Sequence, residues 1–78
     1  MQTARQYIND TVTTEFDDTE GALEEAQFIA DRERQAVAII QTNEDKLIVV
    51  PVSDVPGIRK AKVLEWVTPT YDPFEEVA

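Results

Sequence analysis

The sequence predicts an α+β fold, with a four-stranded, largely antiparallel sheet in the order β-α-β-β-β and one acidic amphipathic helix on one face. Three observations carry this. Ala36 to Val52, AVAIIQTNEDKLIVVPV, holds two runs rich in β-branched residues around a polar break at Asn43, Glu44 and Asp45. Such a pattern reads as an antiparallel hairpin, with Gln35–Thr42 pairing with Lys46–Val52. Residues 19–33 repeat their apolar side chains at the helical period, and residues 59–67, RKAKVLEWV, alternate as a strand does.

Taken in order, MQTARQ is polar. Tyr7 to Phe16, YINDTVTTEF, is rich in β-formers and predicts the first strand, with Asp10 marking a bulge or a late start near Thr11. Asp17, Asp18 or Thr19 can cap the helix that follows, and Asp17 with Glu20 has capping-box spacing. The early acids suit the positive helix N-terminus, while Arg32 and Arg34 suit its negative end. Ala22, Leu23, Ala26, Ile29 and Ala30 share one stripe, with Glu20, Glu24, Gln27 and Asp31 opposite. Phe28 projects from the acidic side, either covered by the C-terminal tail or open to a partner.

Neither hairpin arm alternates cleanly, so both faces of these strands call for cover, as central strands do. Pro56-Gly57 suits a type II turn, and Arg59–Val67 is the last strand. Residues 1–68 thus form a single domain, and 69–78 an acidic-aromatic tail. One helix covers one face of the sheet. The other face is expected to be buried by the tail, by a second copy in a homodimer, or by a partner.

With no His and no Cys, the usual general base, thiol nucleophile and disulfide staple are absent. Ser53 stands beside Asp54 with no suitable base and reads as a turn residue. An EF-hand frame placed on Gly21 puts Phe16 first, so calcium spacing fails. Two distant glycines make no phosphate cradle. No catalytic residue, metal ligand or cofactor is expected, and the chain reads as a non-enzyme. Nothing resembles a signal peptide or a membrane span, so a cytoplasmic protein is expected.

Sixteen acidic residues against seven basic ones give a net charge of −9. Direct nucleic-acid binding is disfavoured, because that affinity rests on Lys and Arg neutralising phosphates. From Asp10 to Asp31 the charged residues are Asp10, Glu15, Asp17, Asp18, Glu20, Glu24, Glu25 and Asp31, with no cation between them. Asp17, Asp18, Glu20, Glu24, Glu25, Phe28 and Asp31 are therefore the candidate partner-binding residues. Such a ridge of carboxylates suits a basic surface built for phosphates, as on a nucleic-acid-handling complex. The competing reading is that the acidity serves solubility alone. In the tail, Tyr71, Asp72, Phe74, Glu75 and Glu76 resemble an acidic-aromatic docking segment, unless the rings pack on the domain itself.

In size, charge and element order the chain resembles the small acidic anti-CRISPR and other anti-defence proteins of phages, many of which block a nucleic-acid-handling complex and some of which imitate DNA. The resemblance spans the whole chain and carries no motif, so it assigns no site residue. It implies an inhibitory binding protein of phage origin, acting in the host cytoplasm. The basic cluster Arg59, Lys60 and Lys62 departs from a pure DNA mimic. The alternative is a small dimeric accessory or structural protein of phage or bacterial origin.

Overall fold

The computed structural model describes residues 1–42 and 44–70. Helix α1 spans Ala4–Thr11, strand β1 Glu15–Phe16 and helix α2 Thr19–Glu33. Strands β2 and β3 are Val37–Gln41 and Leu47–Pro51. A 3₁₀ segment, Val52–Gly57, then leads to β4, Lys62–Val67. The expected α+β class holds, and so does the β-α-β-β-β order, with an unforeseen helix in front of it.

That helix replaces most of the expected first strand. Thr3 Oγ1 accepts from the Gln6 amide at 3.2 Å, and Gln6 Oε1 accepts from the Thr3 amide at 2.9 Å. This reciprocal capping box offsets the weak helix propensity of Tyr7, Ile8 and Thr11. Ala4, Tyr7 and Ile8 recur at helical spacing and turn inward together. The helix stops at Val12, whose left-handed backbone (φ 54°) lets its amide bond back to Ile8 O. Only Glu15 and Phe16 remain as strand.

The sheet order is β1-β3-β2-β4, with every adjacent pair antiparallel. The hairpin pairs as its sequence predicts, Ile39 opposite Val49 and Ala38 opposite Val50. β1 and β2 both run against β3, so α2 crosses over the strand between them. Ala22, Ala26 and Ala30 are fully buried, and their small side chains seat α2 close on Val37, Ile39, Leu47, Val49 and Val67. Leu23, placed on the inward stripe by periodicity, is instead 38% exposed at its margin.

The second sheet face is not open. Ala38, Ile40, Ile48 and Val50 pack beneath Tyr7, Ile8 and Ile58, joined by Val52 and Val55 of the 3₁₀ segment. The Tyr7 hydroxyl donates to Asp54 at 2.7 Å and ties the two covering pieces together. The face on which a tail, a second copy or a partner was expected is therefore covered by residues of the domain itself. Pro56-Gly57 closes the 3₁₀ segment in place of a type II turn.

In β4 the register slips between Ile39 and Ile40, which face Glu65 and Val63, so Leu64 is the extra residue of a bulge. This breaks the simple alternation of residues 59–67, by which Lys62, Leu64 and Trp66 would share one face and Ala61, Val63, Glu65 and Val67 the other.

Candidate functional site

α2 presents its outer surface through its own periodicity. With the alanine stripe seated on the sheet, Glu20, Glu24 and Phe28 point away and are exposed. Asp18 is the N-cap, its Oδ1 accepting from the Gly21 amide at 2.8 Å. Of the three capping candidates the structure selects Asp18. Its third helical residue is Gly21, so no reciprocal carboxylate completes a capping box on this helix. A Cβ at Gly21 would come within 2.8 Å of that capping oxygen, so glycine leaves room for the cap.

Asp17 is exposed but not idle, because Lys46 pairs with it across from the hairpin. Partner and neighbouring carboxylates, Asp17 first, hold the Lys46 ammonium above its ordinary pKa. Glu15 accepts from Arg5 at 3.2 Å, and the same guanidinium reaches Glu44. Asp10 accepts from the Gln2 side chain.

Asp31 is also committed within the fold. Its carboxylate accepts from the Thr70 amide at 2.8 Å, from Thr70 Oγ1 at 2.9 Å and from Gln27 Nε2 at 3.1 Å. Gln27 also donates to Thr68 O at 3.1 Å. The backbone bond from Thr70, with the two side-chain donors, lowers the Asp31 pKa. Asp31 thus fastens the chain at Thr70, just past β4, to α2 and does not stand free for a partner.

What remains is a smaller site than the sequence suggests. Glu20, Glu24 and Glu25 have no salt-bridge partner among the described residues. Glu24 and Glu25 border a shallow depression floored by Phe16, Gly21 and Phe28. Phe28 is 59% exposed, and the Arg32 guanidinium lies 5.3 Å from its ring centroid. This contact is a cation–π pair of neighbouring helical turns. The tail residues Tyr71, Asp72, Phe74, Glu75 and Glu76 lie outside the described residues.

Among the described residues no group of acids is arranged to hold a metal ion. None of their helices is long and apolar enough to cross a membrane. The chain matches no family model, no curated protein and no solved structure.

Proposed function

We propose that this chain is a non-enzymatic inhibitory binding protein that sets the N-terminal half of α2 against a basic, nucleic-acid-binding surface. It acts in the cytoplasm, in the manner of phage anti-defence proteins that imitate DNA. The observation that carries the reading is the exposed row Asp18, Glu20 and Glu24, with Glu25 at its flank, which no cation of the described fold neutralises. Four residues, about 6 Å of helical rise, separate Glu20 from Glu24. Carboxylates so spaced meet a Lys/Arg wall that evolved for duplex charges at one per ~1.7 Å. Phe28 supplies an apolar anchor beside the row, and anchors of this kind carry much of the energy of an interface.

A second reading has its own support. Asp10, Glu15, Asp17, Asp18 and Asp31 all have partners inside the described fold, so five of the eight acids in the run have structural work. An accessory protein whose remaining acids serve solubility is consistent with that.

The two readings part in one experiment. The chain is used as bait in bacterial lysate, and the captured complex is challenged with duplex DNA and then with rising salt. Mimicry requires that DNA and bait exclude one another and that salt slow association. Capture that is indifferent to DNA leaves the accessory reading standing alone.

A further inference from the structure

A different part of the molecule carries an inference independent of the acidic helix face. β4 ends the sheet on the side away from β1, and among the described residues no strand pairs with its outer edge. Such an edge presents a row of unsatisfied backbone donors and acceptors, and proteins normally blunt it with charge or cover. Here Leu64 and Trp66 stand on it 43% and 55% exposed. Beside the edge an open groove runs between β4 and the flank of α2, lined by Leu23, Gln27, Glu65, Trp66, Val67 and the turn to Thr70. Glu65 supplies the charge of that lining, and neither Lys nor Arg contributes to it.

We propose that this edge and groove receive an extended cationic segment of a partner protein, added to β4 as a further strand. The regular run beyond the bulge, Glu65–Val67, supplies the backbone ladder. Successive side chains of the added strand alternate between the sheet faces. A basic residue therefore meets Glu65 on the α2 face, its stem against Leu23, while the apolar residue next to it settles against Trp66 on the other face. Main-chain bonds give affinity in such additions, and the alternate side chains give specificity. Charge selects the occupant. A second copy of this chain brings another −9 and is repelled, whereas a cationic strand is drawn in. The bulge at Leu64 also disfavours two β4 edges lying flat together.

Trp66 is the single Trp of the chain, so its fluorescence reports the groove directly. The full chain is titrated with a peptide of alternating Arg and Val, and separately with one of alternating Glu and Val. Amide shifts of the labelled chain map where each binds. The proposal expects a saturable blue shift with the Arg–Val peptide alone, and shifts at Glu65, Trp66, Val67, Leu23 and Gln27. Glu65→Lys should weaken this binding about tenfold. Leu23→Ser, which leaves the charge unchanged, should weaken it as well, each variant being checked for a native amide spectrum. Several results overturn the proposal. One is an unresponsive Trp66, or an equal response to the Glu–Val peptide. Another is shifts centred on Glu20 and Glu24, which would leave only the acidic-helix reading. Emission already blue in the free chain would mean that the groove is filled, by a second copy if it varies with concentration and by the chain itself if it does not.

Discussion

Replacing Ile8 with alanine tests whether α1 is an integral cover of the sheet or an appendage. Ile8 is 7% exposed and lies with Tyr7 over Ile40, Ile48 and Val50. A buried Ile→Ala change costs about 2–5 kcal/mol. Ile8 lies in an outer layer that can partly close over the gap, which places it near the lower end. Alanine recovers about 0.4 kcal/mol in helix propensity. The net loss is therefore about 2 kcal/mol. A chain of this length has only about 4–12 kcal/mol in total, at 0.05–0.15 kcal/mol per residue. Urea unfolding followed by far-UV circular dichroism should show the midpoint falling with its slope unchanged. The melting temperature should drop by roughly 10 °C. A loss below about 0.5 kcal/mol, the range of ordinary surface changes, would refute the packing of α1 on the second face.

Other consequences are as direct. Tyr7→Phe removes the bond to Asp54 and should cost about 1 kcal/mol at neutral pH. Burial first, then the Asp54 carboxylate, raises the Tyr7 pKa above its ordinary 10.0. Its contribution is therefore intact below that value and lost as pH climbs beyond it, so urea midpoints should fall more steeply above about pH 10 in the wild type than in Tyr7→Phe. Asp31 is shifted the other way, below its ordinary 3.8. The Thr70 tie should persist above that value and fail as pH drops further, seen as late titration of the Thr70 amide and its loss of exchange protection in Asp31→Asn. Val12 is 87% exposed and left-handed, so Val12→Gly should stabilise by about 1 kcal/mol, read as a raised denaturation midpoint. Reversal of Glu20, Glu24 and Glu25 to Lys should keep a native spectrum and abolish binding to the captured basic partner. Unchanged affinity would end the mimicry reading, and Arg59, Lys60 and Lys62 reversed together are the control.

The sequence by itself determined the elements whose signals are local and mutually consistent. The hairpin is legible because its two β-branched runs flank turn-forming residues and bury both faces. α2 is legible because Ala22, Ala26 and Ala30 repeat at the helical period behind an Asp cap. Glu20, Glu24 and Phe28 are outward for the same reason, since fixing the buried stripe fixes its opposite. The N-terminal segment was the difficult case, because Tyr7, Ile8, Val12 and Thr13 favour strands. Thr3 and Gln6 carried the opposing signal, a capping box, at the very start of the chain.

Only the tertiary structure decided which face each remaining residue serves. Tyr7 and Ile8 cover the second sheet face from a helix instead of adding a strand to its edge, and that closes the face expected to dimerise. The acidic run was divided in the same way. Lys46 lies 29 positions from Asp17, and Thr70 lies 39 from Asp31, distances along the chain that no periodicity spans. Folding brings those partners together and so removes Asp17 and Asp31 from the free surface. A one-residue bulge likewise breaks the alternation that grouped Leu64 with Trp66. Local pattern determines which way a helix or strand faces, but which carboxylate finds a cation or an amide depends on chain segments that meet only when the sheet is assembled.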